Sequence, residues 1–292
     1  DYAIEHGVNY FDTSPVYVQG LSERSTGIAL SRHPRDKYFL ATKLSNFSNY
    51  TRENSLAMYR RSLEELQTDY FDYYLLHSVG GGTGIPLVRA RYFDNGMMDF
   101  LLREREAGRV RNLGWSFHGD VRVFDHLLAR HDEYKWDFVQ IQLNYLDWDF
   151  QDAKRKVELL NQWNIPVWVM EPLRGGRLAR LSDEEAAPLR AMRPEEPIPA
   201  WAFRFLQPIP SVTMILSGMS DLEQVKANIA TFQMGVPLSS REMDRLLAQA
   251  QHMVSKTALP CTACHYCVSH CPQGLDIPSL LALYNEHAFT CL

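Results

Sequence analysis

Short, almost continuously apolar runs alternate with amphipathic stretches along most of this 292-residue chain. The runs fall at 8–11, 38–43, 71–77, 110–116, 138–144, 167–170 and 212–217, and each reads as a strand buried on both faces. Helical patterns stand between and beyond them, at 20–30, 51–67, 97–107, 121–130, 152–163, 199–206, 221–231 and 241–251. Strict alternation of this kind predicts a parallel sheet covered by helices, an α/β fold. A closed (β/α)8 TIM barrel needs eight strands, and seven are legible. The leading helical stretch at 2–6 has no strand before it, so the expected first strand lies upstream of residue 1. An open doubly wound sheet is the alternative. It lacks its signature, a glycine-rich turn that follows an early strand and opens a helix.

Composition narrows the class. With 46% hydrophobic and 22% charged residues the chain has the make-up of a soluble globular protein, and its length suits one barrel domain. A net charge of -5 and a pI near 6.1 offer no electrostatic basis for nucleic acid or a membrane surface. No run of apolar residues is long enough to span a bilayer. The chain opens inside a helical pattern without Met, so its own N-terminus is expected to precede residue 1. The first 260 residues contain no cysteine, and all five fall between Cys261 and Cys291. A secreted disulfide framework would spread them, so a cytoplasmic protein with a local cysteine device is expected.

Three strand ends carry chemistry. The first run ends in Asp12 and passes Pro15 to reach Tyr17, the second ends on Lys43 and the third on His77. Ligands meet α/β proteins at the C-terminal ends of strands. A carbonyl that accepts hydride develops negative charge on oxygen and needs a proton donor. A free phenol, with a pKa around 10, is a poor acid-base group near neutrality, and an adjacent ammonium favours its phenolate. Asp12 would hold Lys43, Lys43 would tune Tyr17, and His77 would orient the substrate oxygen. The alternative is a buried Lys–Asp pair with Tyr and His as satisfied core polars. The long stretch 78–94 reads as a lid or binding loop. Its Arg89 and Arg91 could receive an anion, although loop arginines are usually only solvated.

At these residues the chain resembles the aldo-keto reductases. The stretch from Gly7 to Tyr17, with Ser22, Glu23 and Gly27, matches the family's first motif, and Lys43 and His77 fall at its remaining catalytic positions. The resemblance runs from residue 1 to about 250 and implies a (β/α)8 barrel that binds NADP(H) without a Rossmann fold. It implies that Ser116 and Gln142 contact the nicotinamide carboxamide. Pro172, Leu173 and Gly175 sit in the segment that wraps the pyrophosphate, and Ser217, Gly218, Gln224 and Asn228 in the adenosine-phosphate segment. A helix N-terminus there suits a phosphate. Three positions depart from the pattern: Phe117 where an Asn usually follows the serine, Met170 where an aromatic often stacks on nicotinamide, and Gln224 where many members carry a base.

The tail has a motif of its own. Cys261, Cys264, Cys267 and Cys271, followed by Pro272, form a C-x2-C-x2-C-x3-C-P run, the spacing with which thiolates wrap a [4Fe–4S] cluster. Zinc, with His265 or His270 assisting, is the alternative. In two-cluster ferredoxins the fourth cysteine of such a run ligates the other cluster. Only Cys291 remains here, so the C-terminal segment is expected to be cut short; in a complete chain the fallback is a single cluster on Cys261, Cys264 and Cys267 plus Cys271 or Cys291. Some iron-sulfur aldo-keto reductases resemble the chain through residue 290 and continue into a second cysteine run.

The expected organisation is a barrel over 1–250 and a ferredoxin-like, cysteine-rich helical segment over 251–292. The expected activity is an NAD(P)H-dependent reduction of an aldehyde or ketone to an alcohol, or the reverse, with an attached cluster and a possible redox partner protein. The rival is an iron-sulfur electron-transfer or redox-sensing protein that uses the barrel to bind a cofactor or partner.

Overall fold

The computed structural model describes residues 1–80, 84–119, 121–259, 268 and 271–290. The chain divides into two compact units. The first comprises Asp1–Gln142, Lys154–Met170 and Ser211–Ala230, and the second Leu143–Ala153, Glu171–Pro210 and Thr231–Leu292.

The first unit holds one sheet of seven strands: β1 (Tyr10–Asp12), β2 (Phe39–Leu44), β3 (Phe71–Val79), β4 (Val110–Phe117), β5 (Phe138–Gln142), β6 (Val167–Met170) and β7 (Val212–Ile215). Neighbours follow sequence order from β1 to β7, and every pair is parallel. That sequential order is the one a (β/α)8 barrel has, and a doubly wound sheet would reverse partway.

The two-residue period of the strands sorts their side chains. On one face Ala41, Leu75, Phe138 and Trp168 form a buried cluster with Tyr10, Tyr73 and Met214 against it. Phe138 stacks on Trp168 at 3.9 Å, and Tyr73 meets the same indole edge-on at 4.5 Å. Gly114 belongs to this face: it is the register partner of Phe138, and a Cβ there would lie 2.7 Å from the Phe138 ring. The other face carries the helices: Tyr59 of helix Arg52–Glu65 packs on Tyr74, and Phe124 of helix Val121–Leu128 on Trp115 and Phe117. Full burial of side chains this large is worth roughly 1.5–3 kcal/mol each. Counting along the first face by twos from the cluster leads to Asp12, Lys43, His77, Ser116 and Gln142 at the C-terminal ends.

Some boundaries differ from expectation. The stretch 78–94 is not wholly a loop, since Ile85–Val88 is helical and Arg89–Phe93 forms a π-turn. Pro86 is harmless there because it lies in the first helical turn, where its missing N–H is not needed. The helix expected at 121–130 is Val121–Leu128 followed by a separate turn, His131–Tyr134.

The second unit is helical, with Asp183–Met192, Ile198–Leu206, Ser240–Thr257 and Ile277–Thr290 as its main elements. Helix Asp183–Met192 is unforeseen by the periodicity, because Pro188 sits inside it and reads as a breaker. Its start is a capping box between Ser182 and Glu185, and Ser239 and Glu242 build the same device for Ser240–Thr257. Glu242 is then gripped by Arg193, whose Nη2 donates to it at 2.9 Å. Cys261, Cys264 and Cys267 lie outside the described residues. No helix among the described residues is long and apolar enough to cross a membrane.

Candidate active site

Asp12, Lys43 and His77 close three adjacent strands of the first unit, and Tyr17 opens the turn Tyr17–Gly20 that follows Pro15. The four side chains meet. Lys43 Nζ donates to Asp12 Oδ1 and, at 2.9 Å, to the Thr13 carbonyl oxygen. The second carboxylate oxygen of Asp12 accepts from the Tyr10 hydroxyl at 3.0 Å. Burial, then the neighbouring Asp12, pushes the Tyr10 phenol well up, so it remains a donor. Lys43 Nζ stands 4.8 Å from the centroid of the Tyr17 ring. The Tyr17 hydroxyl lies 3.4 Å from His77 Nε2, with the two rings edge-on. Lys43 is 1% exposed and Tyr17 is 38% exposed, so the ammonium sits behind a phenol that faces the opening.

His77 is held from every side. Its Nδ1 lies 2.5 Å from Ser45 Oγ and 3.3 Å from Ser14 Oγ. Its carbonyl oxygen accepts from Arg91 Nη2 at 2.9 Å and from the Tyr92 hydroxyl at 2.7 Å. Burial, then the charges of Lys43, Arg91 and His118, lowers the imidazole to about 2, so the ring is neutral across the physiological range. Arg91 is not a solvated loop residue. It is 3% exposed, sandwiched 4.7 Å from both the Phe47 and Tyr92 ring centroids, and burial pulls its own pKa down.

The remaining residues of the first motif are mechanical. Ser22 Oγ is bonded to Thr13 Oγ1 at 2.7 Å, and Glu23 accepts from the Thr42 hydroxyl. A Cβ on Gly27 would lie 2.3 Å from the Glu65 carbonyl oxygen, so helix Ser22–Leu30 approaches its neighbour at van der Waals limit. These contacts pin the helix to β1 and β2 and hold the intervening turn. Val18 and Gln19, the two residues after Tyr17, take left-handed backbone angles with φ of 50° and 55°. For non-glycine residues such angles cost about 1–3 kcal/mol each and cluster at functional sites.

Of the cofactor candidates in the first unit, Ser116 Oγ accepts the Ser78 N–H at 2.9 Å and Gln142 ends β5. Gln140, the register partner of Ser116, is 1% exposed and its Nε2 has no hydrogen-bond partner among the described residues. Asn228 Nδ2 donates to Ser217 Oγ at 3.1 Å, with Gly218 next in the chain. The Gln224 side chain accepts from the Ser220 N–H and donates to Asp221. In the second unit, Pro172, Leu173 and Gly175 lie on a tightly turned segment where Glu171, Arg174, Gly175 and Gly176 all have positive φ. Asn144 holds the Glu171 carbonyl at 2.9 Å, while the buried Arg174 bonds Asp147 at 3.0 Å and Glu286 at 2.7 Å. Cys271 accepts the Leu275 N–H at 3.4 Å, and the amides of Leu275, Gln273 and Gly274 lower its thiol. Among the described residues, no group of three His, Cys, Asp or Glu is placed to hold a metal ion.

Sequence reasoning missed Tyr10, Ser14, Ser45, Tyr92 and Gln140, and read Arg91 only as a loop arginine that could receive an anion. The strand period alone could have found Tyr10 and Gln140, each two positions from a residue already singled out. The two serines and the Arg91–Tyr92 pair reach His77 through tertiary contacts with no local signature.

The profile of the Aldo/keto reductase family matches residues 1–250. D-arabinose 1-dehydrogenase of Saccharomyces cerevisiae is 43% identical over 86 residues, a match that covers 27% of this chain and 25% of the yeast protein. L-galactose dehydrogenase of Arabidopsis thaliana is 25% identical over 248 residues, covering 78% of this chain and 75% of the plant protein. Among solved structures, the holo form of an aldo-keto reductase from Bacillus halodurans superposes with a TM-score of 0.69 at 24% identity, over 85% of this chain and 84% of that one. The structural likeness is one of fold.

Proposed function

Because the chain belongs to the aldo/keto reductase family, we propose that it is an NADP(H)-dependent oxidoreductase that interconverts a small carbonyl compound and its alcohol on a (β/α)8 barrel. The observation that carries this reading is the Lys43 ammonium 4.8 Å from the Tyr17 ring, with His77 Nε2 at the phenol oxygen. Asp12 and the Thr13 carbonyl hold the ammonium, and a cation at that distance favours the phenolate over the phenol. Tyr17 therefore gives a proton to the carbonyl oxygen in reduction and takes it back in oxidation. His77, neutral and wedged between Tyr17 and Ser45, binds the same oxygen.

NADP(H), when bound, supplies or takes up the hydride. Ser116, Gln140 and Gln142 offer a hydroxyl and two amides on the face that carries the catalytic residues, and the Nε2 of Gln140, partnerless among the described residues, suits a carboxamide oxygen. Ser217, Gly218, Gln224 and Asn228 are assigned to the adenosine phosphate, and Pro172, Leu173 and Gly175 to the pyrophosphate. The substrate class follows the named relatives. Both are dehydrogenases of aldoses, so D-arabinose and L-galactose belong in the first substrate panel alongside simple aldehydes and ketones.

Cys261, Cys264, Cys267 and Cys271 are assigned to a [4Fe–4S] cluster in a segment distinct from the barrel over 1–250. Cys271 fits that role chemically, since amide N–H groups around its sulfur favour the thiolate a metal needs. Anaerobic purification with iron and sulfide analysis tests it: about four of each per chain supports the cluster, and zinc in their place removes it. A chain with this cysteine distribution belongs in the cytoplasm.

The test of the catalytic assignment is Tyr17→Phe. Turnover across the panel should disappear while NADPH still quenches protein fluorescence with wild-type affinity. Undiminished turnover would refute the role given to the phenol.

A further inference from the structure

His77 is neutral, so one ring nitrogen carries a proton and the other a lone pair, and the choice decides what Nε2 can do beside Tyr17. With the proton on Nε2 the ring donates to an oxygen placed there. With the proton on Nδ1, Nε2 becomes an acceptor that competes for the proton of Tyr17. The choice is set from the far side of the ring.

Three hydroxyl and amide groups lead to Nδ1 in a row. The Val16 N–H lies 3.4 Å from Ser14 Oγ, Ser14 Oγ lies 2.9 Å from Ser45 Oγ, and Ser45 Oγ lies 2.5 Å from His77 Nδ1. Each hydroxyl carries one donor and two acceptor lone pairs, so the contacts admit either direction, and only one direction leaves the ring proton on Nε2. An Nε2 that donates to the substrate oxygen requires Nδ1 to accept, and the Ser45 hydroxyl is the nearest group placed to donate to it, with Ser14 Oγ in reach of Ser45 and, at 3.3 Å, of Nδ1 itself. The Ser45 hydroxyl has two competing acceptors, Ser14 Oγ at 2.9 Å and the Lys43 carbonyl oxygen at 3.4 Å, both farther than Nδ1. Ser14 and Ser45 are themselves buried, with 0% and 2% exposure, so water does not substitute for either. Hydrogen bonds in such a run reinforce one another.

We infer that Ser45, backed by Ser14, is a positioning residue that fixes the tautomer of His77, keeping the ring proton on Nε2 and aimed at the substrate oxygen. The inference rests on the reading of His77 as the oxygen-binding group of the active site. Its first readout does not depend on turnover.

The experiment is 15N NMR of the full chain, with the two ring nitrogens of His77 assigned by loss of signal in His77→Gln. The wild type should show a protonated Nε2 and a lone pair on Nδ1, unchanged from pH 6 to 8. Ser45→Ala should bring a mixture of tautomers and lower kcat about tenfold, the weight of one hydrogen bond, with NADPH affinity unchanged. Ser45→Thr keeps the hydroxyl and should restore both signals, which a purely structural role would not require. A wild-type ring protonated on Nδ1 overturns the inference, and so does a Ser45→Ala variant with wild-type tautomer and kcat. Should Tyr17→Phe retain full turnover, the redox reading fails while the tautomer measurement still decides the role of Ser45.

Discussion

The ion pair between Lys43 and Asp12 predicts a strongly non-additive pair of substitutions. Lys43 is 1% exposed and its ammonium has two protein acceptors among the bonds described above, the Asp12 carboxylate and the Thr13 carbonyl. Asp12→Leu leaves a buried cation with one neutral acceptor, and breaking a buried pair in this way costs about 3–5 kcal/mol. Lys43→Met is milder. The Asp12 side chain is 11% exposed and keeps the Tyr10 hydroxyl, so the stranded carboxylate retains a donor and reaches water, at a cost of about 1–3 kcal/mol. The double variant strands neither charge and replaces both groups with apolar ones of similar size. Its stability should return to within about 1–2 kcal/mol of wild type. Equilibrium urea unfolding of the four proteins at pH 7, followed by tryptophan fluorescence, measures the cycle. The double variant should be the most stable of the three and catalytically dead, separating the pair's structural weight from its chemical one. Additivity of the two single effects within about 0.5 kcal/mol would refute the reasoning, since it would mean that neither charge depends on the other.

Two more outcomes follow from the burial of His77 and the close packing of Gly27. His77 sits at about 2 in the folded chain against 6.5 ordinarily, so the unfolded state takes up the proton first as pH falls. Its contribution to stability is whole above 6.5 and declines by about 1.4 kcal/mol per pH unit below it. Urea melts should show wild type losing about 2 kcal/mol more than His77→Gln between pH 7 and pH 5, and equal losses would remove the case for a buried neutral imidazole. Gly27→Ala adds a Cβ 2.3 Å from a backbone oxygen in the neighbouring helix, and overpacking of that kind costs about 1–3 kcal/mol. A melting temperature equal to wild type would show that helix Ser22–Leu30 has slack.

The alternation was readable because parallel strands packed against a core on one face and against helices on the other hold few polar residues, so β3 at Phe71–Val79 and β6 at Val167–Met170 stand out as apolar runs. Helix Asp183–Met192 escaped for the opposite reason. Pro188 breaks its pattern, and the apolar residues it buries, Ala186 and Leu189, are too few to restore it. What marks that helix is its capping box, Ser182 with Glu185, a signal of where a helix starts rather than of what it packs against. Termini and interiors thus leave different traces. A reading built on periodicity alone is blind to helices whose interior is compromised.

The site divides along the same line. Asp12, Lys43 and His77 were legible because the chemistry they share is confined to strand ends, and a strand end is a local feature. What sets the state of those groups is not local. Arg91 lies fourteen residues after His77 and still reaches its carbonyl oxygen, while Ser14 and Ser45, from the ends of two other strands, converge on its ring. Serine after a strand and arginine in a connecting segment are ordinary residues in ordinary places, and nothing in their spacing points to an imidazole. Their effect exists only once β1, β2 and β3 are side by side in register, because a hydroxyl shifted by one residue would face the helices instead. The sheet's register, more than the four reacting side chains, therefore determines whether His77 is a neutral donor or a stray base. A substitution that slips β2 by one position would abolish the activity with every reacting residue still present.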